Sequence, residues 1–198
     1  MKDKKIIRYR LGVSRTFPMT HPRKGEHTYF VEKIQESLKG NGMLSIRAEF
    51  GLLKLHTIRG NYPLWEKRMK KVQAGEAVIE LFYWSGKPYN SPQVVFATLH
   101  KDSGCGVQKI HMSDLYIEET CTECGGEGKI FTGKLYPTGH IEITETCYNC
   151  DDGVAFRKVD ENAIAKNDGL SLEDFKAWLK GYDLSQSMAI IHFTSFRY

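Results

Sequence analysis

Cys121-Thr-Glu-Cys124 and Cys147-Tyr-Asn-Cys150 form two C-x2-C knuckles separated by 22 residues. Four thiolates delivered as two tight pairs match the tetrahedral coordination of zinc, and this arrangement is rare without a metal. All four positions are Cys, so no coordination position is left for a catalytic water, and one structural Zn2+ is expected. A disulfide pair and a redox C-x-x-C are the competing readings. The first belongs to an oxidising compartment, and the second needs a thioredoxin-like βαβ setting that the flanking sequence lacks. Between the knuckles, residues 129–136 and 140–146 alternate like two strands around Pro137-Thr138-Gly139. That pattern predicts a β-hairpin, and with the knuckles a zinc ribbon over residues 119–154.

The ribbon is acidic, with Glu118, Glu119, Glu123, Glu127, Glu142, Glu145, Asp151 and Asp152. Such a surface suits a docking protein partner better than phosphate. Cys124-Gly-Gly-Glu-Gly128 resembles one zinc-binding repeat of DnaJ-type chaperones, but Cys150-Asp-Asp-Gly153 does not keep that repeat. Cys105, alone in Ser-Gly-Cys-Gly, reads as structural.

The remaining chain has ordinary globular composition, 41% hydrophobic and 12% aromatic over 198 residues. That is enough for one medium domain plus a small module. No apolar run reaches the ~18 residues of a membrane span, so no membrane partner is expected. Met1-Lys-Asp-Lys-Lys is followed by Ile6-Ile7 and then at once by Arg8 and Arg10, which is not a signal peptide. A cytoplasmic protein is the expectation.

Charge is divided unevenly. Residues 1–71 hold 17 Lys+Arg and 6 Asp+Glu, a balance of +11, and the rest holds 11 against 18, or −7. A basic half suits a polyanion such as RNA, whose binding releases counterions. Pairing between the two halves within the fold would produce the same division.

Taken in order, residues 4–13 read as a strand and 14–25 as a Pro/Gly-rich loop in which Arg15, Arg23 and Lys24 face either phosphate or water. Residues 27–39 read as a helix with a core stripe of Tyr29, Phe30, Ile34 and Leu38. Residues 43–50 alternate as a half-buried strand, a short helix being the alternative. A basic helix over 65–72 and strands over 77–84, 93–100 and 107–117 follow. Trp84, Lys87 and Tyr89 would suit stacking on a base with a cation nearby, or a core Trp beside a solvated loop.

Lys54-Leu-His56-Thr57-Ile-Arg59 puts an ammonium, a hydroxyl and a guanidinium within six residues. If the stretch is extended, Thr57 and Arg59 share one face. A basic edge strand facing water is the plain alternative. His56 has a better claim to function than His192, which reads as a strand residue.

Lys54-x-x-Thr57-x-Arg59 resembles the signature of ASCH domains, relatives of the RNA-binding PUA domain. Asn167-Asp168 to Trp178 followed by Met188 to Thr194 is similar to that family's closing helix and strand. The resemblance covers roughly residues 1–118 and 155–198, with firm motif matches limited to these two stretches. It implies an α+β, mostly β fold: a PUA-like β-barrel with flanking helices, discontinuous over 1–118 and 155–198 and interrupted by the zinc ribbon of 119–154. It also implies a cleft built on Lys54, Thr57 and Arg59 that binds RNA or a nucleotide, including one with a modified base. His56, Trp84, Lys87 and Tyr89 join that cleft as expected binding residues. The alternative it implies is a hydrolase, either a ribonuclease or an amidohydrolase of acylated cytidines, using Lys54, Thr57 and Asp168. The family carboxylate at the last position is a Glu, and residues 40–53 are additional to the usual family layout. The small size, inserted ribbon and divergent motif resemble proteins of phages and mobile elements.

Overall fold

The computed structural model describes residues 6–40, 53–130 and 145–198. Among the described residues, two larger sheets and four α-helices pack around one apolar core, giving an α+β, mostly sheet fold. The expected strand at 43–50 and most of the hairpin between the knuckles lie outside the described residues.

The first sheet has the order β1 (Ile7–Gly12), β3 (Ala77–Trp84), β4 (Gln93–Leu99), with β1 parallel to β3 and β4 antiparallel to it. A parallel pair needs a long crossover. Here it contains α1 (Phe30–Leu38), β2 (His56–Arg59) and α2 (Tyr62–Gln73). Helix α1 starts at Phe30 because Tyr29 before it takes the left-handed conformation, with φ 56°. Helix α2 starts at Tyr62, where the Asn61 side chain accepts the Leu64 N–H and Pro63 fills a first-turn position that needs no donor.

The second sheet has the order β2, β10 (Met188–His192), β5 (Gly106–His111), β6 (Tyr116–Thr120), β9 (Val154–Lys158). Every residue of β10 is buried, as a strand paired on both edges and packed on both faces requires. The strand expected over 107–117 is in fact two strands, reversed by a turn in which Leu115 has φ 58°. Ser113-Asp114 in that turn are turn-forming residues.

No strand ladder joins the two sheets among the described residues, so they do not close into a barrel. At the open seam, β2 pairs only with β10 on one edge. The Arg59 guanidinium spans the gap, donating to the Gly12 carbonyl at the end of β1 and to the Ile58 carbonyl, both at 2.9 Å.

Strands β6 and β9 pair antiparallel from Tyr116–Lys158 to Thr120–Val154, and the cysteine segment extends from that pair. Within it, β7 (Lys129–Ile130) pairs with β8 (Glu145–Thr146). After β9 come α3 (Glu161–Asn167), capped by the Asp160 carboxylate on the Ala163 N–H, and α4 (Leu172–Leu179), capped by the Ser171 hydroxyl on the Asp174 N–H. The turn between them, Asp168-Gly169-Leu170, is the piece of the fold that positions the site.

Candidate functional site

Lys54 enters the core because its backbone is clamped to α1. Its N–H reaches the Ser37 hydroxyl at 3.2 Å, and that hydroxyl donates back to the Lys54 carbonyl at 3.0 Å. The side chain is only 2% exposed. A buried ammonium needs partners, since desolvation of an unpaired charge is expensive. Nζ donates to both the main-chain carbonyl and the carboxylate Oδ1 of Asp168, each at 2.7 Å, and lies 4.1 Å from the centroid of the Phe30 ring. Burial pulls the Lys54 pKa down to about 8, with Asp168 opposing the fall. Burial pushes the Asp168 carboxyl up, but the charge of Lys54 and the ring of His56 outweigh it and hold the pKa below the usual range. The shorter Asp reaches Lys54 because it caps α3, which brings its backbone carbonyl to the ammonium as well.

Alternation along β2 turns Thr57 and Arg59 to one side, and Lys54, which precedes the strand, reaches the same cavity. Together with Asp168 they line a cavity of about 170 Å³ at the seam between the sheets. Phe30 from α1, Phe175 and Trp178 from α4, and Tyr182 beyond it supply aromatic walls, and Gly12, Val13 and Ser14 close the side of β1. A polar floor and aromatic walls meet in one enclosed space, which suits a planar ligand carrying hydrogen-bonding groups on one edge.

His56 does not line this cavity. It points to the opposite side of β2 and is fully buried, with Nδ1 3.5 Å from Asp168 Oδ1 and Nε2 2.7 Å from the Tyr198 hydroxyl. That hydroxyl also accepts the Asn167 side-chain amide at 3.1 Å. Burial lowers the pKa of His56. Its neighbour His192, with ring centroids 5.7 Å apart, is lowered to about 2, first by burial and then by His56. Both rings are therefore neutral near pH 7, and His56 lies behind Asp168, outside the cavity lining. Trp84, Lys87 and Tyr89 are also absent from the cavity wall. Trp84 packs at 5.3 Å from Tyr89, whose side chain is 86% exposed, in the loop after β3. Phe30 and Trp178, which their helical spacing marks as core residues, are core and cavity wall at once. Tyr198 carries no motif, and only the folded chain brings it to His56 and Asn167.

The second cluster is local. The Cys121 N–H donates to the Gly153 carbonyl, and the Cys147 N–H to the Gly128 carbonyl, both at 2.9 Å. These bonds lay the two knuckles against each other. Gly153 has φ 88°, and a Cβ there would come within 2.1 Å of the Gly126 carbonyl oxygen, so the close approach demands glycine. The sulfur pairs Cys121–Cys147 and Cys124–Cys150 are 3.8 and 3.6 Å apart, and all four lie within 4.8 Å of one another. Tetrahedral ligands on bonds of ~2.3 Å are separated by about 3.8 Å, so the four thiols can hold a metal ion. Burial raises the Cys124 thiol, but N–H donors from Gly126 and Gly128 bring it down to about 7 against that effect, whereas Cys147 and Cys150 are raised, as expected of thiols sharing one site. Cys105 stands apart, with its thiol on the His100 carbonyl and its pKa raised by burial. Of the acidic ribbon residues, Glu118 is engaged by Lys109 and His111, and Glu119 by Arg157.

Among the described residues, no helix is long and apolar enough to cross a membrane. No family model, curated protein or solved structure matches the chain.

Proposed function

We propose that the seam cavity binds a single nucleobase, carried by RNA or a nucleotide, and that the two sheets are an opened version of the PUA-like barrel. The observation that carries this reading is the convergence of Lys54, Thr57, Arg59 and Asp168 with four aromatic side chains on one cavity of about 170 Å³. Bases unstacked from RNA are held in this way, by stacking on aromatic rings and hydrogen bonds to their edges. With a pKa of about 8, Lys54 is roughly nine-tenths protonated at pH 7 and acts as a donor to a carbonyl or anionic group. The basic first third of the chain suits the accompanying phosphates.

The same lysine supports a second reading, hydrolysis. An ammonium brought down to about 8 yields a neutral amine just above physiological pH, and Thr57 and Asp168 stand beside it to supply a hydroxyl and manage a proton. The two readings differ in sign. Binding through the ammonium weakens as pH rises through 8, whereas turnover with Lys54 as base strengthens over the same interval.

For the cysteine cluster we propose one zinc ion with a structural role, because four sulfurs at these separations leave no open position.

The test is titration of labelled single-stranded RNA and of free nucleosides, with cleavage and deacylation followed in the same samples. Thr57→Val keeps the side-chain volume, and Lys54→Met combined with Asp168→Asn removes both buried charges together. Both variants are expected to stay folded and to lose at least about tenfold in affinity, the effect of one or two lost polar contacts. Unchanged affinity in both would place the ligand elsewhere.

A further inference from the structure

We propose that a second cleft, sharing a wall with the seam cavity, takes a phosphate group of the nucleotide strand whose base occupies that cavity. This rests on the nucleobase reading and makes the preferred ligand a single-stranded oligoribonucleotide instead of a free base.

The second cleft measures about 370 Å³ and is lined by Arg23, His27, Tyr29, Lys33, Lys166 and Asp174 among others. Its relation to the first is set by the Asp168-Gly169 turn. Two consecutive carbonyls there hold two lysines: Asp168 accepts Lys54 Nζ at 2.7 Å, and Gly169 accepts Lys33 Nζ at 2.6 Å. Gly169 has φ 76°, and a Cβ on it would come within 3.1 Å of the Lys54 Cβ and 3.3 Å of the Lys33 Cδ. The partition between the clefts is thus one residue thick, with an ammonium-bearing chain on each side.

The charges in the second cleft do not cancel. Asp174, its only lining carboxylate, is bonded to Arg23 at 2.7 Å, and Arg23 also meets Glu26 at 2.8 Å. With one guanidinium against two carboxylates, that trio carries a net −1. Lys33 and Lys166 form no ion pair among the described residues; burial and then the Arg23 charge lower the Lys33 pKa, with Asp174 and Asp168 opposing. The two ammonium groups against that −1 leave the site at +1, and a net positive concave site raises the local concentration of anions. Tyr29, on the rim, is 60% exposed and its ring lies 5.8 Å from that of His27. An exposed aromatic beside unpaired lysines is the combination that tracks a single strand, the ring meeting a base face and the cations the backbone.

The experiment compares a nucleoside, its monophosphate and a trinucleotide, each titrated at two salt concentrations against wild type, Lys166→Glu and Lys33→Gln. Lys166→Glu changes an exposed side chain, and Lys33→Gln keeps a donor for the Gly169 carbonyl, so folding is retained in at least one of the two. The expected result is a loss of about tenfold for the trinucleotide, much larger than for the nucleoside, and a salt slope shallower by about 0.7 per lost phosphate contact. If the monophosphate shows the same loss, the phosphate belongs to the nucleotide in the cavity; if only the trinucleotide does, it belongs to a neighbour. Equal affinity and equal slope in wild type and variants, with the nucleoside still bound, would overturn the second cleft and leave the first standing. Failure of wild type to bind any of the three would overturn the nucleobase reading and this inference with it.

Discussion

Lys54 meets Asp168 across 114 positions of chain, whereas Cys121 meets Cys147 across 26. Both are buried polar assemblies, and they are stabilised in opposite ways. The Lys54–Asp168 pair sits inside the main apolar core, where α1, β2 and the α3–α4 turn fix it from three directions. Its charges are tolerated because the surrounding fold is already in place. Among the described residues, the cysteine cluster has Cys150 and Ala155 partly packed against it. The zinc proposed for that cluster would supply order to it. On this reading the cleft is a product of the fold and the cysteine module a product of its metal.

Metal removal tests that contrast with the largest expected effect. Binding in such modules supplies on the order of 10 kcal/mol of folding free energy. Chelation, or Cys147→Ser, is expected to abolish the single bound zinc and the ordered amides of residues 121–130 and 145–153, while those of β3 and β10 stay protected from exchange. Loss of protection in β10 would show that the two regions do not fold independently.

A smaller effect is expected in the cleft. Asp168→Ala leaves the Lys54 ammonium buried without its carboxylate, which destabilises by roughly 3–5 kcal/mol in denaturant unfolding. Adding Lys54→Met should recover much of that loss, because an apolar side chain in the same space has no charge to compensate. If the double variant is as unstable as the single one, packing and not charge governs this site.

The smallest effect concerns the histidines behind the cleft. Burial places the folded-state pKa of both His56 and His192 below that of the unfolded chain, about 2 for His192 against about 6.5 unfolded. The unfolded chain therefore takes up more protons in this range. Stability is complete above about pH 6.5 and falls as pH drops below it, by about 1 kcal/mol per pH unit for His192, with His56 acting in the same direction. His192→Leu should flatten the profile between pH 6.5 and 5, measured by thermal unfolding. An unchanged slope would mean that these rings find proton acceptors on acidification.

The same contrast governs how much was legible in the sequence. Knuckle spacing is local, so Cys121, Cys124, Cys147 and Cys150 could be grouped before any fold was known. Period-two alternation likewise put Thr57 and Arg59 on one face. Followed through, that rule also assigns His56 to the other face, and the structure places it outside the cavity lining despite its motif position. Asp168 could be connected to Lys54 only through the family resemblance, because no local sequence rule sets a distance across a separation of 114 positions. Trp84, Lys87 and Tyr89 have suitable chemistry, but the loop after β3 does not bring them to the cavity wall. Helix α3 went unread because seven residues with only Ile164 and Ala165 buried give almost no periodic signal, although Asp160 is a recognisable cap. The turn splitting β5 from β6 hid for a similar reason, since Met112 and Leu115 continue the apolar content through it.

The most direct test of the central claim is an NMR titration of the isotope-labelled protein with a short single-stranded RNA near pH 7. Binding in the seam cavity predicts that the amides of Thr57 and Arg59, the Trp178 indole N–H and the Tyr182 ring shift together, saturating at one base per chain. Shifts confined to Trp84 and Tyr89 or to the cysteine module, with Thr57 and Trp178 unmoved at saturation, would contradict it.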